Sequence, residues 1–129
     1  SLNQWLASTT DTMVPKRFVF DNLNFETGST QLTPDSVPTV ESLVVIMKAY
    51  PSVAVRLEGH TDSTGDAEAN KKLSLDRAIA VKEMMIKGGI AEVRITGTDG
   101  YGQEKPVAPN DTDEGRAKNR RTELVVEKR

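Results

Sequence analysis

The segment VAVRLEGHTDSTG, residues 53–65, carries the clearest strand and loop signal in the chain. Its first part places valine or leucine at every second position, which predicts a strand over Val53–Glu58 with one buried face. The part that follows, Gly59–Gly65, is polar and bounded by glycines, so it is predicted to be a loop. Polar residues in a loop beside a rigid element are a common place for function.

Helical patterns flank this segment on both sides. The sequence Leu32-Thr33-Pro34-Asp35 predicts a helix start, with a threonine cap and a proline at the first helical position. Apolar residues then recur at helical spacing until Tyr50-Pro51, where the proline ends the helix. A second helix is predicted from near Asp66 or Asn70 to Lys87, because Gly88-Gly89 follows it.

Three further strands and a short helix complete the prediction. The strands cover Arg17–Asp21, Val93–Gly97 with an extension towards Tyr101, and Thr122–Glu127. Asp111 with Glu114 resembles a capping box that opens a helix to about Asn119. This order predicts an α/β (α+β) two-layer sandwich of the β-α-β-α-β type. In it, two main helices pack on one face of a mixed sheet.

Composition limits the possible functions. The chain has 129 residues, about one domain, with 36% hydrophobic and 28% charged residues, as in folded globular chains. The net charge of -2 provides no basic excess for nucleic acid, and the absence of cysteine excludes disulfides and thiolate sites. No apolar run reaches the roughly 18–20 residues of a membrane helix. The chain starts with Ser1, so we expect membrane attachment only through a missing upstream anchor.

Asp62 and Arg77 are the strongest candidates for a binding site. A carboxylate and a guanidinium that face one cleft complement a zwitterion such as the free end of an amino acid. For a helix that begins at Asp66, Arg77 lies about 16 Å along the axis, so the loop must fold back to share a ligand. The plainer alternative is an Asp62–Arg77 salt bridge that holds the loop to the helix.

The single histidine does not indicate a metal or a catalytic site. His60 lies two residues before Asp62, but a metal needs three or four ligands and the chain has no other histidine. A serine hydrolase is equally unsupported, because no Gly-x-Ser-x-Gly motif is present. We therefore predict no metal, no cofactor and no catalytic residue, and we expect His60 to hold the loop through hydrogen bonds.

A basic cluster lies near the C-terminus, at Arg116, Lys118, Arg120 and Arg121. One interpretation is a nucleic-acid patch, but the predicted sheet lacks paired aromatic residues for stacking bases. We expect these residues instead to neutralise neighbouring acids and to frame the ligand cleft.

Five groups of residues together resemble a known family. They are Phe25-Glu26-Thr27-Gly28-Ser29 with Leu32-Thr33-Pro34; Glu58-Gly59-His60-Thr61-Asp62-Ser63-Thr64-Gly65; Asn70-x-x-Leu73-Ser74-x-x-Arg77-Ala78-x-x-Val81; Gly100-Tyr101-Gly102 with Pro106; and Gly115-Arg116-x-x-Asn119-Arg120-Arg121. Over about residues 17–127 they resemble the OmpA-like C-terminal domains. This family includes domains of outer-membrane protein A, of the peptidoglycan-associated lipoproteins and of the flagellar stator protein MotB.

The resemblance implies a non-enzymatic domain over residues 17–129 that binds peptidoglycan in the periplasm of a Gram-negative bacterium and is tethered to the outer membrane. In the family, the aspartate of the Thr-Asp-x-x-Gly loop and the arginine of Leu-Ser-x-x-Arg-Ala hold diaminopimelate of the peptide stem. Those positions are Asp62 and Arg77. The resemblance implies further ligand-binding or bracing positions at Thr27, Gly28, Asn70, Asn119 and Arg120.

Two alternatives remain at this stage. One is a protein-interaction or dimerisation domain of an envelope or stator complex, and the other is a cell-wall hydrolase, which needs a second acid or a metal near Asp62. Residues 1–16 lie outside the resemblance, and we expect them to form an arm or short helix that leads from an upstream region.

Overall fold

Four strands form one mixed sheet in the computed structural model, which describes residues 1–129. The sheet order is β1-β4-β2-β3, with β2 parallel to β3 and β4 antiparallel to both β1 and β2. The strands are β1 (Lys16–Val19), β2 (Ala54–His60), β3 (Ile95–Gly102) and β4 (Arg121–Lys128). Because β2 and β3 are parallel, they need a crossover connection, which here contains the helix Ala67–Lys87.

The two long helices pack on one face of this sheet. The helices are α1 (Leu2–Ala7), α2 (Val37–Ala49), α3 (Ala67–Lys87) and α4 (Asp113–Asn119). The apolar faces of α2 and α3 share one core with the inward residues of β2 and β4; its members include Leu43, Met47, Val55, Leu57, Ala78, Val81, Met85, Leu124 and Val126. Each large buried side chain of this kind contributes about 1.5–3 kcal/mol. The predicted two-layer architecture is confirmed.

Two glycines allow α3 to lie unusually close to the sheet. A Cβ atom at Gly59 would collide with the backbone carbonyl of Ser74, and one at Gly100 would collide with the backbone of Leu75. The close approach brings the ends of β2 and β3 against the first half of α3. The loop after β2 and the side chain of Arg77 consequently share one edge of the sheet.

The start of α2 differs from the prediction. Pro34–Ser36 forms a 3₁₀ turn and the α-helix begins at Val37. Thr33 makes no capping bond to the backbone, and its hydroxyl lies 2.7 Å from the Ser36 hydroxyl instead. Pro38 has no N–H to donate to the carbonyl four residues earlier, so regular α-helical hydrogen bonding starts late.

Other boundaries shift by a few residues. Asp66 caps α3 by accepting a 2.9 Å hydrogen bond from the Ala69 N–H, so the earlier of the two predicted starts is confirmed. The predicted capping box of Asp111 and Glu114 is wrong, because Thr112 caps α4. Strand β1 ends at Val19, before the predicted end, whereas β2 runs on to His60. Strand β3 begins at Ile95, after the predicted start, and reaches Gly102, in line with the extension expected towards Tyr101.

The N-terminal segment forms a short helix that packs onto the domain. Leu2, Trp5 and Leu6 of α1 are buried in the common core. The guanidinium of Arg129 lies 4.6 Å from the centre of the Trp5 ring and donates to four backbone carbonyls around the end of α1. None of the helices combines the length and apolar composition needed to cross a membrane.

Candidate functional site

A cavity of about 530 Å³ opens at the edge of the sheet where β2 ends. Four segments line it: the loop before α2, the end of β2 with its following loop, the first half of α3, and the junction of α4 and β4. All predicted site residues except Asn119 lie in its wall, namely Thr27, Gly28, Asp62, Asn70, Arg77 and Arg120. Its size suits a small ligand or the end of a peptide.

Asp62 is the only acid in the cavity wall. One of its carboxylate oxygens accepts a 2.8 Å hydrogen bond from the Thr64 N–H, and the other accepts a 2.7 Å bond from Arg120. Burial opposes the charge, but these two donors outweigh it and hold the pKa of Asp62 below its usual value. The carboxylate is therefore charged at neutral pH and can accept from a ligand cation.

Arg77 has no acidic partner. Its Nε donates to the Ser29 carbonyl at 2.9 Å and its Nη2 to the Glu26 carbonyl at 3.3 Å, while the guanidinium lies 5.0 Å from the centre of the Phe25 ring. Burial lowers its pKa, although an arginine remains charged at neutral pH. The alternative Asp62–Arg77 salt bridge does not form, since Asp62 pairs with Arg120. A partly buried guanidinium without a counter-ion is a favourable place for an anion.

The loop after β2 lies against the first turn of α3, and Asp62 of this loop lines the same cavity as Arg77. Asn70 holds it there, because its side-chain amide donates a 2.8 Å hydrogen bond to the Thr64 carbonyl. Asn70 thus lines the cavity and also sets the position of the loop that carries Asp62.

Asn119 lies outside the cavity wall, so of its two predicted roles the structure supports bracing of the loops and not contact with a ligand. It is fully buried, and its side chain bonds the backbone of Val107 and Ala108 at 2.8–3.1 Å. It also donates to Asn110, whose side-chain oxygen accepts from the Ser63 N–H at 3.3 Å. Asn119 therefore braces the loops around the site, because a buried amide uses its hydrogen bonds on the backbone.

The basic cluster neutralises acids and frames the cavity, as predicted, through its three arginines. Arg116 pairs with Asp113 and Arg121 with Glu123, in addition to the Arg120 pair described above. Lys118 is exposed and lies outside this cavity.

The face of the sheet that points away from α2 and α3 carries a buried ion cluster, which the sequence analysis missed. Glu58 and Glu123 are 1% and 4% exposed and lie directly opposite each other in the pairing of β2 with β4. Arg17 donates to both carboxylates, Arg56 donates to Glu58, and Arg121 donates to Glu123. Burial acts to raise the pKa of each glutamate, but the guanidinium donors hold both pKa values below the usual range.

His60 lies in this cluster without a hydrogen bond, so its predicted hydrogen-bonding role is wrong. Both ring nitrogens are buried and unpaired, and the ring stacks on Tyr101 with 5.4 Å between centroids. Burial, together with the charge of Arg121, lowers the pKa of His60 to about 4. The imidazole is therefore neutral at physiological pH.

The same cluster brings three possible metal-ligating groups together. Ligand atoms of Glu58, His60 and Glu123 lie within 4.8 Å of one another. However, each of the four carboxylate oxygens already accepts from a guanidinium of Arg17, Arg56 or Arg121. A cation would have to displace these arginines, so the residues present fit an ion-pair network better than a metal site.

Comparison with known proteins places the chain in a family. The model of the OmpA family matches residues 24–120. Outer membrane porin F of Pseudomonas fluorescens is 43% identical over 106 residues, which cover 82% of this chain and 32% of that protein. Peptidoglycan-binding protein ArfA of Mycobacterium bovis is 38% identical over 102 residues, or 79% of this chain and 31% of that protein. The chain thus spans about a third of each of these two relatives.

A solved structure has the same fold. The cell wall anchor of the T6SS from Pseudomonas aeruginosa superimposes with a TM-score of 0.72 at 30% identity, over 88% of this chain and 80% of that one. Because the family model covers most of the chain, including both Asp62 and Arg77, the assignment does not depend on any one relative. This chain belongs to the OmpA family.

Proposed function

We propose that this chain binds peptidoglycan non-covalently and anchors a larger envelope protein to the cell wall. The family assignment supports this proposal, as do a similar peptidoglycan-binding protein and a similar cell wall anchor. The proposed location is the periplasm of a Gram-negative bacterium, with the rest of the protein attached to the outer membrane. The role is binding, without catalysis.

The observation that supports the proposal most strongly is that Arg77 has no acidic partner. It is a partly buried cation without a carboxylate partner, in the same cavity as the charged Asp62. A ligand that presents an ammonium and a carboxylate on one carbon would complement both groups. The free end of diaminopimelate in a peptide stem has this chemistry, with its ammonium on Asp62 and its carboxylate on Arg77.

The remaining site residues have supporting roles in this proposal. Thr27 and Gly28 also line the cavity, and their backbone N–H groups can donate to the ligand. Asn70 and Asn119 hold the surrounding loops. A single site of this kind binds weakly because its charged contacts are partly solvated, but many tethered copies that face one polymer hold it firmly.

The test is titration calorimetry with a stem tripeptide that contains meso-diaminopimelate, alongside co-sedimentation with purified sacculi. We expect the wild type to bind in both assays. Asp62→Ala and Arg77→Ala should each weaken tripeptide binding by at least about tenfold, the loss expected for one charge-assisted contact. The matched control is Lys118→Ala, which removes a charge outside the cavity and should leave binding unchanged.

The folded state of each variant is checked by circular dichroism and thermal unfolding. A wild type that binds neither the tripeptide at millimolar concentration nor the sacculi would overturn the proposal. The cavity would then have no ligand-binding role, and binding to a protein partner would become the better hypothesis.

A further inference from the structure

Arg120 is a second cation in the cavity wall that has few hydrogen-bond partners. The only hydrogen bond of its guanidinium is the 2.7 Å bond to Asp62, and its side chain is 52% exposed. A guanidinium has five N–H donors, so most of the hydrogen-bonding capacity of Arg120 is turned to solvent.

The other two arginines of the cavity wall already bind groups that lie outside the cavity. Arg116 pairs with Asp113 and donates to the Asn110 carbonyl at 2.9 Å. Arg121 pairs with the buried Glu123 and donates to the Lys105 carbonyl at 2.9 Å. Arg77 and Arg120 are therefore the two wall cations that a ligand can engage without breaking a pair that lies outside the cavity.

A zwitterion bound at Asp62 would change the electrostatic surroundings of Arg120, because the two side chains are paired. A ligand ammonium that bonds Asp62 shares the carboxylate with Arg120 and with the Thr64 N–H, because each carboxylate oxygen has two lone pairs. It also places a second cation beside the Arg120 guanidinium. That repulsion is relieved when a second ligand anion lies against Arg120.

We propose that the cavity selects peptide stems with a second free carboxylate and that Arg120 binds it. This inference rests on the proposed function, because it assumes that Asp62 and Arg77 hold the zwitterionic end of the stem. A stem tripeptide has two carboxylates in addition to that end, one on the D-glutamate and one at the C-terminus. Amidation of either removes its charge and replaces a strong acceptor with a weak one.

The experiment compares three tripeptides of L-alanine, γ-linked D-glutamate and meso-diaminopimelate by titration calorimetry. One has both carboxylates free, one is amidated at the D-glutamate, and one is amidated at the C-terminus. We expect one of the two amidated tripeptides to bind the wild type about three- to tenfold more weakly than the free form, as for a half-exposed charged contact. The amide that causes the loss identifies which carboxylate is bound.

Variants assign the effect to Arg120. Arg120→Gln should bind the free and amidated tripeptides within about twofold of each other, because the guanidinium that senses the charge is gone. Lys118→Gln removes the same charge from an exposed site on α4, and Arg116→Gln removes it from the cavity wall; both should keep the preference.

The outcomes separate this inference from the proposed function. Equal binding of all three tripeptides, with sacculi still bound, would overturn the second-carboxylate site and leave the anchoring proposal standing. Loss of the preference in Arg116→Gln as complete as in Arg120→Gln would overturn the assignment to Arg120. Absence of binding to every tripeptide and to sacculi would overturn both proposals.

Discussion

At the scale of single residues, the ion cluster around His60 depends on arginines that offset an unfavourable pair. Like charges directly opposite each other in a sheet repel, as Glu58 and Glu123 would. Arg17 bridges the two carboxylates, so the pair becomes part of a network instead of a source of instability. His60 shares this buried space with them, and its pKa is lowered to about 4.

We expect His60 to make the domain less stable in mild acid. Its pKa is about 4 in the folded protein against an ordinary value of 6.5, so between these values the unfolded chain binds a proton that the folded protein does not. Stability is therefore full above pH 6.5 and declines as the pH falls toward 4. Between pH 6.5 and 5 the loss due to His60 is at most about 2 kcal/mol.

Urea unfolding of the wild type and of His60→Gln at several pH values measures this effect. The variant lacks the titrating group, so its stability should change less over that interval, whatever its stability at neutral pH. The lowered pKa values of Glu58 and Glu123 add acid sensitivity mainly below their ordinary value of 4.5. Equal slopes for the two proteins between pH 6.5 and 5 would contradict the prediction.

At the scale of secondary structure, the site depends on how closely α3 approaches the sheet. Gly100 faces the backbone of Leu75, which cannot move without the rest of the helix, whereas a Cβ at Gly97 would meet only the flexible side chain of Arg56 at 3.2 Å. Both glycines lie in β3, so they form a matched pair.

Gly100→Ala should destabilise the fold by about 1–3 kcal/mol, the usual cost of an added methyl group in a packed interior. Gly97→Ala should cost clearly less. Since α3 carries Arg77 and β2 leads to Asp62, the Gly100 variant should also weaken binding of the stem tripeptide. Denaturant unfolding and calorimetry of both variants are the measurements, and similar stability losses for the two would indicate that α3 has room to move.

At the scale of the whole molecule, the two ends of the chain hold each other. The guanidinium of Arg129 donates to the carbonyls of Trp5, Leu6 and Asp11 at 2.9 Å and also to that of Ser8. Carbonyls at the end of a helix lack intrahelical partners, and a cation there is favourable. The contact joins α1 to the end of β4 across almost the full length of the sequence.

Arg129→Ala should lower the free energy of unfolding by about 1–3 kcal/mol, because it removes charged hydrogen bonds and the stacking on Trp5. Amide hydrogen exchange over residues 2–8 should become faster, while exchange in β2 and β4 changes little. Lys128→Ala is the control, since Lys128 is exposed and adjacent. Unchanged protection of α1 in Arg129→Ala would show that Leu2, Trp5 and Leu6 hold the helix by packing alone.

Local sequence patterns alone predicted much of the secondary structure of this protein. Alternation over residues 53–58 predicted β2, the apolar spacing predicted both long helices, and glycines marked the end of α3. These features depend on neighbours within a few residues, where backbone geometry and side-chain periodicity act directly. The resemblance of the motifs then predicted that Asp62 and Arg77 act in one site, and both residues line one cavity.

Only the tertiary structure decided which groups pair. Arg120 reaches Asp62 from 58 positions away, Arg17 reaches Glu123 from 106 positions away, and Asn119 turns inward to bond the backbone of Val107 instead of lining the cavity. Sequence spacing says nothing about strand register, and a shift of one residue in β2 or in β4 would move Glu58 or Glu123 to the other face of the sheet. The buried ions, the neutral His60 and the free cation at Arg77 all follow from that register and from the close packing of α3, because long-range contacts set the electrostatics of a site.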